Sequence, residues 1–140
     1  GADTYLDPTF WCVRDARRAG VDDRIHFLGE VEDTEQAFRA SDMYLLTSRE
    51  DPFPCVVHEA MACGMPVACF DGSGGSPSML RDGGGEVIPF GDVQGMADAV
   101  ITWLDDEETR ARIGLEAKRI VEERYDQDQY VKWLMELGLD

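Results

Sequence analysis

The sequence predicts an α/β protein built on a parallel sheet that is flanked by helices. Over the first 92 residues, short apolar runs alternate with amphipathic stretches, which is the pattern of repeated β-α units. After Asp92 the apolar residues keep only helical spacing, which predicts helices at the C-terminal end. The chain has 140 residues, of which 44% are hydrophobic. That size and apolar content suit one domain over residues 1–140.

The first two predicted elements are a helix and a strand. Asp7 and Pro8 favour a helix start, because proline fits the first helical turn, and Gly20 favours the end of this helix. The apolar run that follows predicts a strand over Arg24–Leu28.

A second helix and strand precede the loop of greatest functional interest. Asp33 is a suitable N-cap for a short helix over Thr34–Ala40, and the next apolar run predicts a strand over Met43–Thr47. The loop after this strand ends in Pro54, which can open a helix. Gly64 is a suitable C-terminal cap for that helix.

Two further apolar runs predict the rest of the sheet. Pro66–Phe70 and Glu86–Ile88 are predicted strands, with a short helical turn over Pro77–Leu80 between them. The three glycines at 83–85 do not lie between a strand and a helix in the way of a phosphate-binding loop. We interpret them as a tight turn.

Three apolar patterns predict the C-terminal helices. They run from Val93 to Leu104, from Ile113 to Val121 and from Val131 to Met135. The last part of the chain is also rich in large apolar side chains, which predict an apolar surface strip. These side chains are Trp133, Leu134, Leu137 and Leu139.

Composition excludes several classes of function. With 29 acidic and 13 basic residues the net charge is -16, which repels nucleic acid and anionic lipid surfaces. No apolar run approaches the roughly 18 residues of a transmembrane helix, and the first residues do not resemble a signal peptide. We expect a cytoplasmic protein whose four cysteines are buried packing residues, since none forms a CxxC pair. These cysteines and His26 lack metal-ligand spacing, so no metal cofactor is expected.

The loop after Met43–Thr47 is the first candidate site, because ligands of open parallel sheets bind beyond the carboxyl ends of the strands. Asp51 lies in this loop, and Glu59 lies eight positions later on the predicted helix, so both carboxylates could face one pocket. Backbone amides at the helix N-terminus favour an anion. A sugar nucleotide offers hydroxyls to the carboxylates and a diphosphate to the amides. The spacing of two acids by itself leaves other functions open.

A longer motif surrounds these two acids. Residues 48–67 read SREDPFPCVVHEAMACGMPV. This run resembles the signature of family-4 glycosyltransferases, in which two glutamates flank seven residues and precede Ala-Met-Ala-x-Gly-x-Pro-Val. RIHFLG at 24–29, GGSP at 74–77, DGGG at 82–85 and PFGD at 89–92 are similar to further segments of that family. The resemblance implies the Rossmann-like second domain of a retaining GT-B enzyme.

The resemblance also implies roles for individual residues. Asp51 stands where the family's first glutamate contacts the donor sugar, and Glu59 stands where the second glutamate holds the ribose hydroxyls. These two are the candidate catalytic residues. Main-chain groups around Phe53–Val56 would line the sugar and phosphates, and Phe27 and Leu28 would lie near the base. The candidate donor-binding residues are Phe27, Leu28, Phe53, Pro54, Cys55, Val56, Glu59, Gly74 and Gly75.

Two positions depart from the family pattern. Asp51 is one methylene shorter than glutamate, and Ser78 stands where many relatives carry glutamate. The identity of the sugar is therefore left open. Glu50 is the alternative sugar contact, although it lies nine positions before Glu59 rather than eight.

The resemblance implies parts that this sequence does not contain. Enzymes of the family begin with an acceptor-binding domain, and their second domain opens with a unit that carries an Arg and a Lys for the diphosphate. We therefore expect an N-terminally truncated donor domain that catalyses no transfer alone. The expected partners are a UDP- or GDP-linked sugar and a carbohydrate or lipid-linked acceptor held by the missing domain. The full-length protein could lie peripherally on the inner face of the membrane.

Other functions stay open at this point. The chain could be a non-catalytic nucleotide-binding or regulatory module, or half of a nucleotide-sugar epimerase or a phosphorylase. The run EAMA at 59–62 is closer to the transferases. His58 could act as a general base, but a lone histidine beside apolar neighbours is more often structural. We leave it out of the catalytic set.

Overall fold

The computed structural model describes residues 8–125 and 135–136. Its contacts divide the chain into two compact units, Gly1–Glu32 and Asp33–Asp140. The third predicted C-terminal helix falls almost wholly outside the described residues, and so does the predicted strip of Trp133, Leu134, Leu137 and Leu139. Among the described residues, no helix is both long and apolar enough to cross a membrane.

The first unit contains one α-helix, α1 (Pro8–Ala19), and a 3-10 turn over Asp22–Arg24. The predicted first helix is confirmed, with proline as its first residue and Gly20 directly after its end. The predicted strand Arg24–Leu28 is wrong. Ile25 has extended backbone angles, but the described residues offer this segment no neighbouring strand. Extended backbone without ladder hydrogen bonds is not a strand, and Phe27 and Leu28 are exposed.

The second unit is built on a three-stranded parallel sheet. Its strands are β1 (Tyr44–Leu46), β2 (Val67–Phe70) and β3 (Gly85–Ile88), and they lie in that order. Tyr44 pairs with Val67 and Val67 pairs with Gly85, so the three strands start level with one another. All three predicted strands of this unit are confirmed, and the α/β fold class is confirmed with them.

Six helices were found in the described chain, five of them in the second unit. They are α2 (Thr34–Arg39), α3 (Cys55–Ala62), α4 (Ser76–Leu80), α5 (Val93–Asp105) and α6 (Glu107–Arg124). Three of them begin at aspartate N-caps. The carboxylates of Asp33, Asp92 and Asp106 accept hydrogen bonds from backbone amides at 3.0, 2.9 and 3.0 Å. Part of the acidic excess therefore serves helix capping.

The core lies on both faces of β2, whose four residues are all buried. Side chains alternate along a strand, so Val67 and Cys69 face one side while Ala68 and Phe70 face the other. The first side packs against α3, α4 and α6, with Met61 and Ile120 fully enclosed, and the second packs against α5 through Trp103. Helices on both faces explain why β2 reads as a continuous apolar run.

The cysteines do not behave as one class. Cys69 is buried in β2, and this burial raises the pKa of its thiol to about 11. Cys63 is half-buried, whereas Cys12 and Cys55 are exposed, so the prediction of four buried packing cysteines is wrong. Cys55 is the first residue of α3, whose buried side is formed by Val57, Ala60 and Met61.

Candidate functional site

The loops after β1 and β2 are joined at the carboxyl edge of the sheet. The Asp51 amide donates to the Ser73 carbonyl at 2.7 Å, and the Gly75 amide donates to the Pro52 carbonyl at 2.9 Å. Asp51 and Gly74 form an isolated parallel bridge. The segment that contains Asp51 is therefore held by main-chain hydrogen bonds, as a short extension of the sheet.

Gly74 and Gly75 allow the two loops to approach this closely. A Cβ on Gly74, whose φ is +135°, would lie 1.8 Å from the Asp51 carbonyl oxygen. A Cβ on Gly75 would lie 2.2 Å from the Phe53 ring. Both distances are far below van der Waals contact, so these positions require glycine. The close approach seen here is to the 51–53 segment of the same chain.

The helix α3 begins at the end of this loop. Pro54 is its N-cap and supplies no side-chain hydrogen bond. The Val57 amide donates to the Pro54 carbonyl at 3.1 Å, and the Cys55 and Val56 amides come before the first intrahelical hydrogen bond. Pro54 is buried, whereas Phe53, Cys55 and Val56 are exposed beside it. The helix start predicted from Pro54 is confirmed.

Glu59 lies one turn further along α3 and faces a groove between α2 and α3. One of its carboxylate oxygens accepts a hydrogen bond from the Thr34 hydroxyl at 3.2 Å. The groove has a volume of about 410 Å³. Its lining combines hydroxyl, carboxylate, guanidinium and apolar groups, from Thr34, Glu35, Phe38, Arg39, Glu59, Ala62 and Cys63.

The carboxylates of Asp51 and Glu59 both affect the pKa of the Tyr44 side chain. Tyr44, on β1, has a raised pKa, mainly because it is half-buried and further because the Asp51 and Glu59 carboxylates disfavour its ionised form. The Tyr44 ring also meets the Phe38 ring edge-on at 6.0 Å between centroids. Both carboxylates predicted from the motif therefore lie within electrostatic range of Tyr44, although Asp51 is not part of the groove lining.

His58 packs in a cluster of rings. Its centroid is 4.8 Å from that of Phe53 and 4.9 Å from that of Tyr125. Burial lowers the pKa of His58, while a hydrogen bond to the Pro54 backbone opposes that shift. Burial therefore disfavours the protonated imidazole relative to an exposed histidine.

A second cavity, of about 530 Å³, opens at the same edge of the sheet on the α5 side. Its lining residues come from two loops, the strand β2 and the helix α5, so no local sequence pattern predicts it. It is mainly apolar with one cation at its rim, and is lined by Thr47, Arg49, Phe70, Phe90, Gly91, Val93 and Met96. None of the ion pairs among the described residues involves Arg49.

The predicted site residues are thus brought together in part. Asp51, Glu59, the residues 53–56 and the glycines 74–75 share one edge of the second unit. Phe27 and Leu28 belong to the first unit, where both are exposed. Within residues 8–125 and 135–136, no three His, Cys, Asp or Glu side chains gather as a metal site would require.

Two contacts at the site could not be read from the motif. Thr34 is 25 positions from Glu59, and Tyr125 is far from both Phe53 and His58 in sequence. Thr34 carried one indirect signal, since a hydroxyl at the first position of a predicted helix faces that helix's N-terminal end. Tyr125 carried none.

Comparison with known proteins gives matches over most of the chain. The family described as "Glycosyl transferases group 1" matches residues 11–120. N-acetyl-alpha-D-glucosaminyl L-malate synthase of Bacillus anthracis is 35% identical over 113 residues, which are 79% of this chain and 29% of that protein. Phosphatidyl-myo-inositol mannosyltransferase of Mycobacterium leprae is 36% identical over 118 residues, 79% of this chain and 30% of that protein.

The fold has a solved counterpart. The crystal structure of Anabaena Alr3699/HepE in complex with UDP-glucose matches 94% of this chain with a TM-score of 0.86 and 28% sequence identity. The match covers 36% of that protein. The chain therefore has the Rossmann-like fold of a glycosyltransferase domain, and it spans between 29% and 36% of the proteins compared with it.

Proposed function

The chain belongs to the group 1 glycosyl transferases, and from that premise we propose that it binds the nucleoside diphosphate sugar used by a larger transferase. The observation that carries the proposal is the position of Glu59. Its carboxylate lines a groove on α3, the helix that begins directly after a loop held by main-chain bonds. That loop lies at the carboxyl edge of a parallel sheet, where open α/β folds bind ligands.

The nucleoside half of the donor fits the groove between α2 and α3. An exposed carboxylate accepts hydrogen bonds from two vicinal hydroxyls, which is how Glu59 would hold a ribose. The Thr34 hydroxyl fixes one carboxylate oxygen and so orients the other. The volume of about 410 Å³ lies within the range of small-ligand pockets, which is roughly 300–1,000 Å³.

The diphosphate would meet the N-terminus of α3. Its first amides have no side-chain cap, and a helix N-terminus carries partial positive charge, so an anion is stabilised there. During transfer the leaving diphosphate gains negative charge, and amides already in place lower the barrier by stabilising it. The Arg and Lys that the family resemblance assigns to the diphosphate would come from upstream sequence.

The sugar would meet Asp51 and the main chain of residues 53–56. Asp51 would accept hydrogen bonds from sugar hydroxyls and so orient the reacting carbon. Gly74 and Gly75 hold this loop in place and are proposed as main-chain neighbours of the donor. Retention of the anomeric configuration and membership of family 4 rest on the motif at 48–67.

The base is proposed to be uracil or guanine. Phe27 and Leu28 are its proposed contacts, on the resemblance of residues 24–29 alone. The relative matched in structure holds UDP-glucose, which supports a UDP-linked donor first and a GDP-linked donor second.

The complete enzyme would add an acceptor domain upstream of this chain. The matched relatives are about three times longer, which supports such a domain, and the acceptor would be a carbohydrate or a lipid-linked molecule. We propose that the enzyme acts in the cytoplasm, at most peripherally bound to the membrane, and that it requires no metal ion.

Calorimetry with UDP, GDP, UDP-glucose and GDP-mannose tests the proposal on this chain. Saturable binding of one nucleoside diphosphate and its sugar is expected, without transfer to simple acceptors, since acceptor alignment contributes up to roughly 7–11 kcal/mol of the barrier reduction. Binding of none of the four would reject donor binding. Glycoside formation by the chain alone would reject the need for an upstream domain, and conversion of the sugar without transfer would indicate an epimerase.

A further inference from the structure

Phe53 is in contact with two aromatic rings and a glycine. Its ring lies 4.8 Å from His58 and 6.3 Å from Tyr125, measured between centroids, and His58 and Tyr125 meet edge-on at 4.9 Å. The ring also lies against Gly75, where even a methyl group would collide with it. The Phe53 ring is therefore in contact with three residues, although its side chain is half exposed.

The backbone around Phe53 has few hydrogen bonds of its own. Pro52 and Pro54 flank it and have no N–H to donate. In the described part of the chain, the amide of Phe53 has no backbone acceptor either. The ring contacts therefore add to the main-chain hydrogen bonds that the Pro52 and Pro54 carbonyls accept from Gly75 and Val57 in holding the centre of this loop.

The two rings that contact Phe53 belong to α3 and to the end of α6. His58 follows Val57 on α3 and precedes Ala60 by two positions, and both of these neighbours are completely buried. Tyr125 closes α6, with its amide donating to the Val121 carbonyl at 2.9 Å. The ring contacts thus connect the loop to α3 and to the exposed C-terminal end of α6.

We propose that His58 and Tyr125 are positioning residues, whose rings keep Phe53, and with it the main chain of residues 51–56, in the arrangement that receives the donor sugar. This inference rests on the proposed function, since it takes the donor contacts to lie on this loop. It gives His58 a role through packing, without proton transfer, and it extends the site to Tyr125.

Amide hydrogen exchange measures the positioning directly. The reporters are the amides of Asp51 and Gly75, because both are hydrogen-bonded across the loop. In His58→Ala and Tyr125→Leu, loss of the ring contacts should speed exchange at both reporters by about tenfold. His58→Phe and Tyr125→Phe keep a ring at each position and should exchange at the wild-type rate.

A matched control comes from Phe90, an exposed ring in a different aromatic pair. Phe90 meets the Phe70 ring edge-on at 6.2 Å, away from Phe53. Phe90→Leu should leave the exchange of Asp51 and Gly75 unchanged. The Val67 amide, which donates to Gly84 within the sheet, is the internal reference for global stability.

Binding supplies the functional readout. Calorimetry with UDP and UDP-glucose, and with GDP and GDP-mannose, should show that His58→Ala weakens the intact donor about fivefold more than the nucleoside diphosphate. His58→Phe should restore the wild-type ratio. A wild-type chain that binds none of these ligands would reject the proposed function, while the exchange rates would still decide whether the rings position the loop.

Two results would overturn the positioning role. One is exchange that rises equally at Asp51, Gly75 and Val67, which would show a general loss of stability. The other is unchanged exchange at Asp51 and Gly75 in both ring deletions. Equal weakening of donor and nucleoside diphosphate would likewise contradict a role on the sugar side.

Discussion

Asp51 and Glu59 are eight residues apart and are held in opposite ways. The backbone of Asp51 donates to Ser73 and lies against Gly74, so its position depends on main-chain contacts with the loop after β2. Glu59 projects from a regular helix, and its carboxylate is oriented by a single side-chain hydrogen bond from Thr34. The position of the Asp51 backbone therefore depends on a glycine that is distant in sequence, whereas the orientation of the Glu59 carboxylate depends on one hydroxyl.

This difference separates stability from binding at the two ends of the candidate site. A change near Asp51 that disturbs the main chain should cost folding free energy, because the loop is an extension of the sheet. A change near Glu59 should alter ligand binding with little effect on folding, because its hydrogen bond is exposed. Variants at each end test whether the two really differ in this way.

Gly74→Ala is expected to have the largest effect. Its Cβ would collide with the Asp51 carbonyl oxygen in a backbone conformation that L-residues avoid, so the free energy of unfolding should fall by about 2–4 kcal/mol. Gly72→Ala is the control, since Gly72 also has positive φ, at +73°, but a Cβ added there would meet nothing within 4 Å. It should lose only about 1–2 kcal/mol. Equal losses in urea unfolding would show that the loop contact contributes nothing.

Thr34→Val should have a smaller effect, on binding alone. Loss of the hydroxyl that orients Glu59 should weaken nucleoside diphosphate binding by about 0.5–1.5 kcal/mol in calorimetry, with little change in unfolding. Thr102→Val is the matched control, because its hydroxyl donates to the Asp98 carbonyl on α5. If both variants bind equally well, the Thr34 hydroxyl does not orient Glu59.

The smallest expected effect is a pH dependence on the Asp51 side. Burial lowers the pKa of His58 below its ordinary value of 6.5, so the unfolded chain binds a proton more readily than the folded chain. Wild type should therefore lose stability relative to His58→Phe as pH falls through about 6.5. Urea midpoints of both proteins between about pH 5 and 8 give the difference. A constant difference, or one of opposite sign, would contradict the burial of a neutral imidazole.

Much of the fold could be predicted because its signals are local. Pro8, Pro54 and the capping aspartates mark helix starts by the backbone chemistry of single residues. The strand Val67–Phe70 is recognisable since it is buried on both faces. The segment Arg24–Leu28 has three apolar residues among five, but strand formation also requires a neighbouring strand, which a local pattern does not contain.

The residues of the candidate site could likewise be predicted only where they are close in sequence. The motif at 48–67 located Asp51, Glu59 and the start of α3, because they are close in sequence. Thr34, Tyr44 and Tyr125 reach these residues only through the packing of α2, β1 and α6. Tertiary contacts of this kind have no signature in one sequence, and the same is true of the cavity beside Arg49.

Calorimetry on Asp51→Asn and Glu59→Gln, within a full-length enzyme that carries this chain, tests the central claim most directly. Glu59→Gln should weaken nucleoside diphosphate and intact donor alike by about 1.5–3 kcal/mol, because both contain the ribose. Asp51→Asn should leave the binding of the nucleoside diphosphate nearly unchanged. It should instead lower kcat/KM in kinetic assays, by an amount that corresponds to about 1.5–3 kcal/mol of transition-state free energy.

The pattern of these losses decides the outcome. A sugar-specific loss in Glu50→Gln, with Asp51→Asn silent, would move the sugar contact to Glu50 and keep the donor site. Glu59→Gln is expected to weaken the binding of both ligands equally. If Asp51→Asn also weakens the nucleoside diphosphate and the intact donor equally, the two carboxylates do not hold opposite ends of one donor, and the proposed site is wrong.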